Sequence, residues 1–121
     1  MAGLNCGTPS TIAFETLRDI ADVFISIPDI YAKVALKLYQ APLGNDPKIE
    51  SCETGAAGLA GYLALVFSPD LSEVRKFLKL SKESRILLIN AEGNTDPVMN
   101  DKIMHEKLFM PWEKNFVEGE N

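Results

Sequence analysis

Two runs of small residues hold the side chains and backbone best suited to chemistry: Gly3-Leu4-Asn5-Cys6-Gly7-Thr8-Pro9 at the start and Glu53-Thr54-Gly55-Ala56-Ala57-Gly58-Leu59 in the middle. Each runs into a predicted helix. Glycine lets backbone approach a flat or charged ligand, and the free N–H groups of a helix start favour an anion. A third loop, residues 90–96, adds Asn90, Glu92, Gly93 and Asp96. In an open parallel sheet, ligands gather where such loops cluster at the C-terminal ends of strands. Gly55, Gly58 and Gly61 recur every three residues, unlike the dinucleotide fingerprint, so a nicotinamide cofactor is weakly supported. The same spacing serves close packing of a helix on a sheet, and the residues alone leave both readings open.

Glu50, Glu53 and Glu92 are candidates for acid–base work, although single carboxylates near turns commonly serve as caps or solvated groups. His105, the single histidine, lies in a polar helical stretch without a neighbouring nucleophile and is expected at the surface. Neither a nucleophile elbow nor a phosphate-binding P-loop is present. Cys6 and Cys52 are far apart, with no second Cys or His at metal-ligand spacing, which predicts two reduced thiols and no metal site.

The elements that must position these groups follow from periodicity. Ser10 and Thr11 predict the cap of a helix to about Ala21, with Ala13, Leu17, Ile20 and Ala21 on its inner face. Val23–Ile27, stopped by Pro28, reads as a buried strand. A helix from about Asp29 to Pro42 turns Ile30, Val34, Ala35 and Leu38 inward, and Leu43–Lys48 carries turn chemistry. Lys48–Cys52 is a less secure strand, and Gly55–Phe67 is a buried helix. Asp70 and Glu73 resemble a capping box for a helix bearing Leu71, Val74, Phe77 and Leu78, ended by lysines and Ser81. Arg85–Asn90 is the clearest strand, and Asp96-Pro97 starts the last helix. Alternating strands and helices predict an α/β domain with parallel pairing and helices on both faces. Two or three strands cannot cover both faces and both edges. Without repeats to stack, either the chain oligomerises or more sheet exists elsewhere.

Composition narrows the partners. At 121 residues, 46% hydrophobic and 24% charged, the chain has room for one domain or part of one. A net charge of −5, with no basic run to offset it, disfavours nucleic acid and anionic membranes. The apolar run Gly55–Phe67 is well short of the roughly 20 residues that span a bilayer. No export signal is recognised, so a cytoplasmic location is expected. A chain that opens on a ligand-type loop predicts further sequence upstream.

The opening segment, with Phe14–Asp22 and the strand to Ile27, resembles a late catalytic-domain segment of threonine dehydratase-like pyridoxal phosphate enzymes. The closer resemblance is to the diaminopropionate ammonia-lyase family. It rests on Gly44-Asn45-Asp46-Pro47, on Glu53–Leu59, and on Leu87-Leu88-Ile89-Asn90-Ala91-Glu92-Gly93-Asn94-Thr95-Asp96, which follow that family's order up to about Glu106.

The resemblance implies part of a three-layer αβα domain with a parallel sheet, the tryptophan synthase β-subunit-like fold of pyridoxal phosphate enzymes. Residues 1–108 would be the C-terminal portion of the catalytic domain and 109–121 an irregular tail. The implied reaction is α,β-elimination of 2,3-diaminopropionate to pyruvate and ammonia, with a small amino acid as substrate and a homodimer as assembly. The cofactor lysine and phosphate cup lie upstream in this family, and Lys33, Lys37 and Lys48 match no lysine motif. The fragment alone is therefore expected to contain no catalytic residue and to be inactive. Glu53, Thr54, Gly55, Asn90, Glu92 and Gly93 would line the cofactor ring, with Cys6, Gly7 and Thr8 at the mouth. The family's usual Ser or Thr before the glycine is replaced by Glu92, which leaves Asn90 and Glu92 both open as partners of the ring nitrogen. Two alternatives stand beside this reading: part of a threonine or serine dehydratase, and a non-catalytic binding module that retains the scaffold.

Overall fold

The computed structural model describes residues 4–109, and the predicted tail from 110 onward lies outside them. Five α-helices are formed: α1 Thr11–Ile20, α2 Asp29–Gln40, α3 Ala57–Phe67, α4 Ser72–Phe77 and α5 Pro97–His105. A 3-10 turn, Pro69–Leu71, leads into α4.

The core is α2 packed on α3, closed at one end by α5. Val34, Ala35 and Leu36 of α2 are completely buried, and they meet Ala56, Ala60, Leu63, Ala64 and Ile103. Ile30 and Leu38 pack at the margin of this cluster, so the inward face expected of α2 is the one observed. Lys33 clamps α2 to the end of α5, its Nζ donating to both carboxylate oxygens of Glu106 at 2.8 Å. The neighbouring Lys37 ammonium donates to the Glu106 carbonyl.

Local chemistry accounts for the helix ends. Ser10 Oγ accepts from Ala13 N at 3.4 Å, and Asp96 Oδ1 accepts from Met99 N at 2.9 Å, with Pro97 in the first turn. The predicted capping box at Asp70 is not formed. Asp70 lies inside the 3-10 turn and makes no side-chain cap, while Arg75 Nη1 ties the corner by donating to Leu65 O and Ser68 O. Helix α4 ends at Phe77, before the lysines and Ser81 expected to close it.

That ending is a Schellman turn: Leu80 N donates to Arg75 O and Lys79 N to Lys76 O, with Lys79 at φ 52°. Lysine has a Cβ, so the left-handed conformation is strained. Lys79→Gly is expected to stabilise the chain by about 0.5–1 kcal/mol, the gain from relieving strain exceeding the entropy cost of glycine in the unfolded state. Chemical denaturation of the two proteins side by side measures it.

Two expectations are corrected. First, the predicted strands form no sheet ladder among the described residues, so the three-layer parallel sheet is not observed and the secondary structure is helical. The segments are extended, and residues 23–27 keep a period of two, with Val23, Ile25 and Ile27 half-buried while Phe24 and Ser26 are exposed. What they lack, among the described residues, is a backbone hydrogen-bond ladder to a neighbouring segment. Instead, 23–27 and 85–90 both lie on α3: a Cβ at Gly61 would sit 3.5 Å from Ile25 Cδ1, and one at Gly58 3.5 Å from Ile89 O. Second, α1 is amphipathic as predicted but buries none of its residues: Ile12 is 79% exposed and Ile20 69%. Its apolar face meets no element that covers it.

Candidate functional site

The loop before α3 and the loop before α5 meet side by side. Asn90 joins them: its Oδ1 accepts from Ser51 Oγ at 3.0 Å, and its Nδ2 donates to Glu50 O at 3.1 Å. From the other side the buried Asn100 of α5 donates through Nδ2 to Ser51 O at 2.8 Å and to Asn94 Oδ1 at 2.6 Å. Residues 50–52 are therefore held by two asparagine amides. Gly55 sits against this clasp, where a Cβ would collide with Asn90 Oδ1 and Glu92 O and lie 2.6 Å from Ser51 Oγ.

Within the clasp is a cavity of about 110 Å³ lined by Cys52, Glu53, Thr54, Glu92, Thr95, Asp96 and Met99. Asp96 is committed to its cap on Met99 N. Glu92 Oε1 accepts from Thr95 Oγ1 at 2.6 Å. That bond, with further donation from Cys52 and Thr54, holds the Glu92 carboxyl below its ordinary value of 4.5. Glu53 is only 6% exposed, and its Oε2 is buried with no hydrogen-bond partner. Of the carboxylates lining the cavity, Asp96 and Glu92 have local donors, while Glu53 keeps one buried oxygen without one.

The Glu92 bond predicts a pH effect whose sign follows from the direction of the shift. A folded-state value below the unfolded one gives stabilisation that is present above about pH 4.5 and is lost as pH falls through the lowered value. Thr95→Val removes the largest cause and is expected to raise the Glu92 titration midpoint toward 4.5, as read by NMR of its side chain.

Of the predicted site residues, Glu53, Thr54 and Glu92 line the cavity, and Gly55 and Asn90 build its wall. Gly93 is exposed, with open space where a Cβ would be. Cys6, Gly7 and Thr8 lie in the exposed opening loop, where Cys6 Sγ is 3.6 Å from Thr8 O, and do not line the cavity. His105 is exposed beside Asp101, its Nδ1 2.9 Å from the Asp101 carbonyl. Ser51, Thr95 and Asn100 were not singled out by sequence reasoning. Asn100 had a visible signal, since it shares an inward helical face with Ile103, three residues on, where a polar residue needs partners.

A larger cavity, about 550 Å³, lies elsewhere, between 26–31 and 68–71. Its walls are mostly apolar, with Ile27, Pro28, Ile30, Ala64 and Leu71, and carry Ser26, Ser68 and Asp70 as polar residues.

No family model matches the chain. Over 96 residues it is 41% identical to diaminopropionate ammonia-lyase of Escherichia coli (strain K12), a match covering 79% of this chain and 24% of the relative. The Salmonella typhimurium diaminopropionate ammonia-lyase is 33% identical over 105 residues, covering 86% of this chain and 26% of that protein. A solved structure supports the same relationship: the crystal structure of diaminopropionate ammonia lyase from Escherichia coli in complex with D-serine matches with a TM-score of 0.75 and 37% identity. The chain is related to the C-terminal part of diaminopropionate ammonia-lyase. The structural match covers 87% of this chain and 27% of the solved lyase, and the chain spans about a quarter of the length of the lyases it matches. The clasp at 50–55 and 90–96 is the part of this lyase-like segment where buried polar groups converge.

Proposed function

We propose that the chain forms the C-terminal part of a pyridoxal phosphate-dependent lyase that converts 2,3-diaminopropionate to pyruvate and ammonia. The observation that carries this reading is the buried Glu53 oxygen without a donor, in a cavity made by the very loops that resemble the lyase family. Together with the Gly55 position, which a side chain would fill, it fits a flat ligand that brings a donor to this wall. Pyridoxal phosphate, when bound, supplies an electron sink for bond breaking at the substrate Cα.

This chain's own residues bind and orient. Glu53, Thr54, Gly55, Asn90 and Glu92 would make up the ring wall. Gly93 at its edge and Cys6, Gly7 and Thr8 at its mouth do not line the cavity in this segment and would join it only in the complete enzyme. Glu53 and Glu92 give the wall negative charge, which favours a cationic group over an anionic one. Asn90 keeps the wall in register by bonding Glu50 and Ser51. The cofactor lysine and phosphate cup come from sequence beyond this segment, as do the strands that would pair with its extended segments, so the segment alone is inactive. The complete enzyme is a cytoplasmic homodimer.

The test is a chimera in which this chain replaces the matching quarter of the Escherichia coli lyase. Turnover of 2,3-diaminopropionate to pyruvate, faster than that of serine or threonine, is the expected result. A folded, cofactor-loaded chimera that turns over threonine but not 2,3-diaminopropionate would transfer the chain to the dehydratases. Turnover by the 121-residue chain alone would contradict its being a partial enzyme.

A further inference from the structure

We infer that Glu53 is the docking point for a protonated nitrogen, its carboxylate accepting an N–H from a positively charged group that enters the cavity between the two loops. The inference rests on the lyase reading and deepens it, because it selects Glu53 over Asn90 and Glu92 as the group that meets the ligand.

The selection follows from which polar atoms are already used. Asn90 engages both ends of its amide, Oδ1 with Ser51 Oγ and Nδ2 with Glu50 O, so it acts as a positioning residue. Glu92 Oε1 has Thr95 Oγ1 as its donor at 2.6 Å. Asp96 caps α5. Glu53 alone among these presents a buried oxygen with no donor, and a buried, unpaired carboxylate oxygen is costly enough that a missing partner is the natural completion.

Size and chemistry restrict that partner. A cavity of about 150 Å³ accepts benzene, and this one is about 110 Å³, so it takes an ammonium group or one edge of a heteroaromatic ring. Among the described residues no group of three His, Cys, Asp or Glu side chains is placed to hold a metal ion, and a charged N–H donor needs only one carboxylate to pair with. A ring N–H⁺ of the cofactor and an aliphatic ammonium of a diamino acid share this chemistry.

The experiment is a titration of the chimera, which supplies the lysine and phosphate cup, labelled with ¹³C at glutamate carboxyls, with pyridoxal 5′-phosphate in one arm and 2,3-diaminopropionate in the other. A saturable shift of the Glu53 signal is expected in one arm or both, and the responding arm identifies the source of the nitrogen. Glu53→Gln should weaken that binding at least tenfold, while Glu83→Gln, on the exposed stretch before residue 85, leaves it unchanged. Glu53→Asp, which keeps the charge, serves if the glutamine variant misfolds, and should weaken binding through its shorter reach. The same variants, read by the affinity and absorption maximum of bound cofactor, provide a second measurement.

A Glu53 signal unmoved in both arms, or an affinity unaffected by Glu53→Gln, overturns the inference and leaves a trapped water as the partner. Binding at Glu53 in a chimera without lyase turnover would separate the two readings, sinking the reaction and sparing the site. Turnover with an indifferent Glu53 would do the reverse.

Discussion

Gly55→Ala is expected to cost about 3 kcal/mol or more, read as a lower denaturation midpoint, because overpacking against atoms that cannot retreat is at the upper end of its usual range. The added methyl would meet Asn90 Oδ1, the Glu92 carbonyl and Ser51 Oγ, the last at 2.6 Å. The carbonyl belongs to backbone, and the other two belong to the hydrogen bond that joins the loops. Relief requires parting 50–55 from 90–92, so the stability loss should be accompanied by a change in the Asn90 side-chain amide chemical shifts as its bonds to Ser51 and Glu50 are lost. Gly93→Ala provides the contrast: nothing lies within 4 Å of its Cβ position, and it should change stability by no more than about 0.5 kcal/mol.

Leu36→Ala should destabilise the chain by about 3 kcal/mol, the middle of the range for a fully buried leucine. Leu36 is 0% exposed and lies in the α2–α3 core. The same substitution at Leu87, which is 87% exposed, should change the stability of the isolated chain by less than about 0.5 kcal/mol. Repeating the Leu87 measurement in the chimera tests whether additional sheet covers this face. A cost of about 2 kcal/mol there, against almost none in the isolated chain, would mean that the remainder of the lyase buries it. Equal, small costs in both would leave residues 85–90 exposed in the whole enzyme.

Much of this architecture was legible before any coordinates. The inner face of α2 follows from Ile30, Val34, Ala35 and Leu38 at helical spacing, and α5 begins where Asp96 and Pro97 predict. Those signals are local, since a capping carboxylate reaches only the next turn and an amphipathic stripe repeats within one helix. The strands were legible as extended segments but not as a sheet. Hydrophobic alternation in 23–27 tells which side chains share a face, whereas a ladder depends on a second segment at the correct distance. Likewise the apolar stripe of α1 was readable, yet Ile12 and Ile20 remain exposed because burial needs a partner surface and not only a pattern.

The candidate site divides the same way. Sequence by itself determined the kinship with diaminopropionate ammonia-lyase and the two loops that carry it, because the order of small and acidic residues is a one-dimensional property. It also left Gly55, Gly58 and Gly61 undivided between ligand approach and packing. Tertiary structure decided that Gly58 and Gly61 lie under the extended segments on α3, while Gly55 abuts the clasp. It further decided that Asn90 is occupied and that Glu53 is not, which no spacing reveals. Hydrogen-bond satisfaction is a three-dimensional count: Ser51 and Asn90 are 39 residues apart, Ser51 and Asn100 are 49 apart, and only the folded chain determines which donors each acceptor receives.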